Sequence, residues 1–229
     1  MIRGITFASC YVYSPSGSSS TSERSRQVCA LLKANDAHFI LKYAVRVRQQ
    51  VAGTSPLTGY LCPANVLVPI PGSTRTHTGS VSVAERLAMA LIEEGLGQRI
   101  WSGLHRIRAV RKSSTAAPGS RPTVANHYDS FAIEEAAALK EMTALAERRP
   151  SLPQRKATLP QQVVLIDDVV TKGRTLLAAA ARVREAIPDA EIRAFALLRT
   201  LGFIEGIDRL LDPCVGEITW RAGDAHRNP

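Results

Sequence analysis

Val163-Val164-Leu165-Ile166-Asp167-Asp168-Val169-Val170-Thr171-Lys172-Gly173-Arg174-Thr175 is the stretch that decides how this chain reads. Four apolar residues, three of them β-branched, predict a buried strand. Two adjacent carboxylates close it, and a short hydroxyl-bearing loop with one glycine follows. Leu176 to Arg184 then predicts a helix. Carboxylates at a strand end accept hydrogen bonds from two vicinal hydroxyls. The loop offers backbone N–H groups and hydroxyls at a helix N-terminus, where a phosphate is favoured. A sugar phosphate has both parts. The competing reading is a plain strand and helix of another α/β protein, yet buried strands rarely end in paired carboxylates without a task.

These residues resemble the signature of type I phosphoribosyltransferases, which bind phosphoribosyl pyrophosphate (PRPP). The family pattern is an apolar strand, two acidic residues, two apolar residues and Thr-x-Gly-x-Thr, matched without a gap from Asp167 to Thr175. The resemblance implies that Asp167 and Asp168 hold the ribose 2- and 3-hydroxyls. It implies that Thr171, Lys172, Gly173, Arg174 and Thr175 wrap the 5-phosphate. Lys172 and Arg174 depart from the small residues often found at those positions; their charges suit a phosphate, and solvent is the other place for them to point.

Upstream, Ala64 to Pro71 predicts another strand, closed by prolines. The loop Gly72 to Ser80 follows, and Ser82-Val83-Ala84-Glu85 forms a capping box that opens a helix to about Glu94. In the resembled family such a strand–loop–helix unit grips the pyrophosphate, which makes Gly72, Ser73, Thr74 and Arg75 the pyrophosphate candidates. Glycine allows close backbone approach, the hydroxyls donate, and an arginine binds oxyanions in a fork. An ordinary βα connection accounts for the same residues. His77 reads as a loop histidine rather than a general base.

Arg99 to Leu104 predicts a third strand, and the segment from His105 to Pro122 is the most basic part of the chain. Type I enzymes commonly carry here a flexible loop that closes over PRPP and excludes water from the activated sugar. The resemblance makes Arg106, Arg108, Arg111, Lys112 and Arg121 candidates for neutralising a leaving pyrophosphate. A solvated basic loop and a nucleic-acid contact are the alternatives.

Elsewhere, Ile5 to Tyr13 predicts a first strand or hairpin arm, and Ser14 to Ser22 a flexible loop, read as a plain exposed connector ahead of an anion-binding run of hydroxyls. Glu23 to Lys33 and Ala37 to Gln50 predict amphipathic helices, and Gly53 to Pro63 a linker. Phe131 to Arg148 predicts a helix, Glu191 to Arg199 a strand, Leu201 to Asp212 a turn and short helix, and Val215 to Trp220 a last strand. This βα alternation predicts an α/β protein with a Rossmann-like parallel sheet flanked by helices and loops at the strand carboxyl ends. The whole chain, 1–229, reads as one domain, with 1–60 an appended segment and 221–229 a disordered tail. The resemblance adds the type I phosphoribosyltransferase fold with a small N-/C-terminal hood.

The chain has 229 residues, 45% hydrophobic and 21% charged, enough for one sizeable core. A net charge of +9 suits a polyanionic partner, a small phosphate ester or nucleic acid. Aromatic residues at 5% leave little for base stacking, so the small anion ranks first. Cys10, Cys29, Cys62 and Cys214 form no C-x-x-C pair, and scattered thiols fit a reducing compartment. No signal-like or membrane-length apolar segment is visible, so no membrane partner and a cytoplasmic location are expected.

Within the resembled family the layout is most similar to ComF-like predicted amidophosphoribosyltransferases. The matching pieces are Ile40-Leu41-Lys42-Tyr43, Val68-Pro69-Ile70-Pro71, a basic middle ending in Arg121 and Asn126, and the central motif. A Ser-rich segment stands where ComF-like chains commonly carry a zinc ribbon, which counts against a role in DNA uptake. The resemblance implies an enzyme: PRPP loses pyrophosphate from C1 of the ribose 5-phosphate and a nucleophile attacks with inversion. Magnesium is expected on the PRPP, with no direct protein ligand, and Asp167 and Asp168 reaching it through water. Thr171 stands where purine-salvage relatives often have a carboxylate, which argues against a hypoxanthine or guanine acceptor. A non-catalytic PRPP-binding regulator and a nucleic-acid-associated ComF-like protein are the alternatives, and a homodimer is what the family commonly forms.

Overall fold

The structure is a computed structural model of the chain and describes residues 2–73, 81–111, 121–134, 161–202 and 206–229. The predicted central strand is β6 in chain order, Gln162–Val170. Its side chains alternate between two cores. Val163 and Leu165 enter one cluster, and Val164 and Ile166 the other. Apolar side chains on both faces are what a parallel strand covered by helices on both sides requires.

The remaining strands are β1 (Gly4–Tyr13), β2 (Val66–Pro69), β3 (Arg99–Ile100), β4 (Leu104–Arg106), β5 (Phe131–Ile133), β7 (Glu191–Thr200), β8 (Leu211–Arg221) and β9 (Asp224–Asn228). The helices are α1 (Ser20–Lys33), α2 (Ala37–Ala52), α3 (Val83–Glu93), α4 (Val124–Ser130) and α5 (Arg174–Ala186). Seven strands form one sheet in the order β3-β2-β6-β7-β1-β8-β9. The pairs from β3 to β1 are parallel, and β8 and β9 are antiparallel. β4 and β5 form a separate two-stranded ladder. Helices α1, α2 and α3 bury their apolar faces on one side of the sheet, and α4 and α5 on the other. This is a mixed α/β fold with a mostly parallel sheet flanked by helices, compatible with a Rossmann-like arrangement. Among the described residues no helix is long and apolar enough to cross a membrane.

Local chemistry sets several boundaries as predicted. Ser82 Oγ accepts from Glu85 N–H at 3.1 Å and Glu85 Oε2 accepts from Ser82 N–H at 3.4 Å, the capping box that opens α3. In α5 the run Leu176 to Ala181 is buried, so small alanines let the helix lie close on the sheet.

Other expectations are corrected. Residues 1–60 are not an appendage: β1 lies inside the sheet between β7 and β8. Residues 221–229 are not a disordered tail. They complete a hairpin whose turn, Ala222 and Gly223, has φ of 48° and 80°, the backbone of a tight two-residue connection. β1 and the β8–β9 hairpin therefore belong to the main sheet and do not form a separate hood. Ser14 to Ser22 is not a plain exposed connector: Ser14 and Ser22 are buried and Arg26 Nη1 donates to Gly17 O at 2.8 Å. The strand expected from Arg99 to Leu104 ends as β3 at Ile100 and resumes as β4 only at Leu104; between them the Trp101 indole lies over Gly103, where a Cβ would meet it at 2.5 Å. Phe131 to Ile133 is β5 rather than the start of a helix, because Phe131 pairs with Arg106 across the ladder. The rest of that expected helix lies outside the described residues. Among the described residues from 206 to 210 no helix forms, and β8 already begins at Leu211.

Candidate functional site

Asp167 and Asp168 lie within β6 near its carboxyl end. The strand continues past them because Asp167 pairs with Ala196, and Val169 with Leu198, on β7. Asp167 Oδ1 accepts from Asp168 N–H at 2.9 Å, and Asp168 Oδ1 from Val169 N–H at 2.7 Å. Lys33, at the end of α1, donates to Asp168 Oδ2. Burial pushes the Asp167 carboxyl well above the usual carboxylate range. The neighbouring Asp168 charge adds to this, and Lys33 opposes it.

The next loop leads straight into α5. Gly173 is its N-cap, with φ 81° and no side chain bonding the first turn. A Cβ there would also meet Ile218 Cδ1 of β8 at 2.6 Å, so glycine is required by both backbone and space. Among the described residues no side chain caps the first turn of α5, which leaves its amides as donors for an anion. The two cations of the loop point elsewhere. Arg174 donates from Nε to Asp224 Oδ1 at 2.6 Å, makes a second bond to Asp224 Oδ2, and gives Nη1 to Pro122 O at 3.1 Å. Lys172 Nζ lies 3.7 Å from the same carboxylate. Thr171 is exposed, and Thr175 Oγ1 is 3.4 Å from His127 Nε2.

Of the pyrophosphate candidates, Gly72 and Ser73 are described; Thr74 and Arg75 lie outside the described residues, as do His77 and Lys112. The carbonyl of Gly72 accepts from Arg106 Nε, and that of Ser73 from Val110 N–H at 2.8 Å. Arg106 is therefore not on a free loop. It sits in β4, 2% exposed, with Nη1 on Ser130 Oγ, Nη2 3.3 Å from Pro71 O, and its guanidinium 4.3 Å from the centre of the Phe131 ring. Burial lowers its pKa to about 10. It ties the loop after β2 to the β4–β5 ladder. Arg108, Arg111 and Arg121 are exposed.

Sequence reasoning missed Lys33, His127 and Asp224. His127 is 5% exposed, stacks on Phe131, and has a buried Nδ1 without a hydrogen-bond partner among the described residues. Burial lowers its pKa to about 4, with the charges of Arg106 and Arg174 adding to the effect. No local pattern marks these residues, because each meets its partner only through the fold. Among the described residues no three His, Cys, Asp or Glu side chains gather to hold a metal. The two carboxylates of β6 are oxygen donors of the kind magnesium takes when water and phosphate oxygens complete its shell.

No protein-family model matches the chain, and no curated protein matches it.

Proposed function

We propose that the chain is a type I phosphoribosyltransferase of ComF-like layout, acting on PRPP. The observation that carries the reading is the acidic pair at the carboxyl end of a central parallel strand, one short loop before a helix whose first turn has no side-chain cap. Ligands of open α/β sheets bind outside the carboxyl ends of the strands. On this reading Asp167 and Asp168 accept hydrogen bonds from the two ribose hydroxyls. The amides from Thr171 to Thr175 hold the 5-phosphate. The C1–O bond to pyrophosphate breaks, the nucleophile bonds to C1 from the opposite face, and its proton leaves to solvent. The chain contributes positioning and charge stabilisation. Magnesium, when bound with PRPP, supplies charge neutralisation on the pyrophosphate oxygens.

A second reading, a PRPP-binding regulator without catalysis, is favoured by one observation. Arg106, Lys172 and Arg174 are engaged by protein partners, so three of the cations named for phosphate binding are already committed. Calorimetric titration of PRPP with magnesium tests both, beside Asp167→Asn/Asp168→Asn. Micromolar binding lost in the variant, with pyrophosphate released on adding amines or bases, supports the enzyme. Binding without release supports the regulator. No binding by the wild type sinks both and moves the basic surface, with nucleic acid as partner, to the front.

A further inference from the structure

Two arginines that the motif does not include meet on the sheet face that carries α5. Arg199 is the residue of β7 directly across from Val170, the last residue of β6 before the phosphate-loop candidate. Only 6% of its side chain is exposed. It bonds Asp212 through Nη1 to the carbonyl and Nη2 to the carboxylate, and Nη1 lies 3.5 Å from Ser9 Oγ. Arg227 of β9 reaches back from the other side. Its Nη2 donates to Thr200 O, and its guanidinium lies 5.6 Å from the Phe7 ring centre. Thr200 Oγ1 in turn donates to Val170 O at 3.4 Å. Arg227 pairs in register with Ile218, the side chain on which Gly173 rests. Both side chains are thus anchored close to the carboxyl end of β7, Arg199 over Ser9 of β1 and Arg227 on Thr200 O and the Phe7 ring.

Their donors are unfinished. Arg199 Nε and Arg227 Nη1 are both buried and, among the described residues, have no hydrogen-bond partner. Charge is unfinished too. Among the described residues Asp212 is the carboxylate at this cluster, and it is shared between Arg199 and Arg209, whose Nε lies 3.2 Å from Oδ1. Among the described residues Arg227 meets a carbonyl and a ring, and no carboxylate pairs with it. Burial and the charge of Arg199 both push its pKa down. A water would satisfy the two N–H groups and leave the buried charge uncompensated; an oxyanion satisfies both.

We propose that Arg199 and Arg227 hold an oxyanion group of the ligand, through Arg199 Nε and Arg227 Nη1, beside the loop after β6. Assigning that group within a phosphoribosyl ligand rests on the function proposed above; the anion site does not. The group is either the 5-phosphate of the sugar or a carboxylate on the acceptor.

The test is calorimetric titration of inorganic phosphate, ribose 5-phosphate and acetate into the wild type, Arg227→Met, Arg227→Lys and Arg199→Met. Arg199→Met unpairs Asp212 and risks misfolding, so the half-buried Arg227 carries the comparison, with thermal melts confirming folded protein. Loss of one charge-assisted contact weakens phosphate binding by roughly ten- to a hundredfold in Arg227→Met, partly restored in Arg227→Lys. Ribose 5-phosphate weakened in parallel identifies the 5-phosphate. Acetate binding that depends on Arg227, with ribose 5-phosphate unaffected, identifies an acceptor carboxylate. Anion affinities within twofold of wild type in the folded variants, or no anion binding by the wild type, overturn the proposal. Phosphate held through Arg227 with no PRPP binding leaves the anion site standing and removes the phosphoribosyl reading. PRPP binding that needs Asp167 and Asp168 but ignores Arg227 does the reverse.

Discussion

The ammonium of Lys33, the last residue of α1, is ion-paired with the carboxylate of Asp168 in β6, 135 residues away in sequence. A helix from one end of the chain thus places a cation on the acidic pair. The lysine side chain is 55% exposed, so the pair adds little to stability. Its larger effect is electrostatic, because it competes with any cation drawn to the two carboxylates. Lys33→Met is expected to change unfolding free energy by less than about 1 kcal/mol. It is expected to tighten divalent-cation binding roughly fivefold, the value of one charge at contact distance in a water-like medium. Manganese titration followed by electron paramagnetic resonance reads this directly; unchanged affinity would remove Lys33 from the electrostatics of the site.

Asp167 gives a pH dependence with a definite sign. Its folded-state pKa is raised above the unfolded value, so the folded protein holds this proton more tightly. The contribution favours folding at low pH and is lost as pH climbs from about 4 through the raised value. Asp167→Asn removes the penalty. Denaturant unfolding with a chelator present should find the variant more stable than wild type at pH 8, with the gap shrinking toward pH 5. A gap that is constant across pH would place its cause elsewhere.

His127 has the opposite sign. Its folded pKa lies near 4 against an ordinary 6.5. Stability from the neutral ring is present above 6.5 and is lost as pH falls toward 4, by up to about 3 kcal/mol. His127→Gln keeps a polar group toward Thr175 and cannot charge, so its stability curve should be flatter over that window. Parallel curves for the two proteins would show that another group drives acid unfolding.

Gly173→Ala meets two costs together, a left-handed backbone and a clash with Ile218. They sum to about 2–4 kcal/mol of destabilisation. Ile218→Ala in the same chain should return the packing part and leave the backbone part, which a double-mutant cycle separates. Strict additivity of the two changes would mean that they do not touch.

The central motif was legible because its chemistry is local. Strand, acidic pair, glycine and helix follow one another in thirteen residues, and each has a propensity or a conformational need that its neighbours share. The capping box at Ser82 and Glu85 was legible for the same reason. The basic residues were harder. A run such as His105 to Lys112 announces charge but not direction, and Arg106 turned out to be a buried clasp on Gly72 and Ser130. Phe131 to Ile133 carried helix-like spacing, and a long-range strand pair with β4 overrode it.

By itself, then, the sequence determined the parallel α/β core and the place where a strand delivers two carboxylates to the start of a helix, since hydrophobic period and backbone propensity act between near neighbours. Only the tertiary structure decided what surrounds that place. Lys33, His127, Arg199, Asp224 and Arg227 are brought to the motif or to one another by sheet order and register, which depend on how distant segments bury their surfaces together. A single guanidinium or carboxylate carries no local sign of which partner the fold will set beside it.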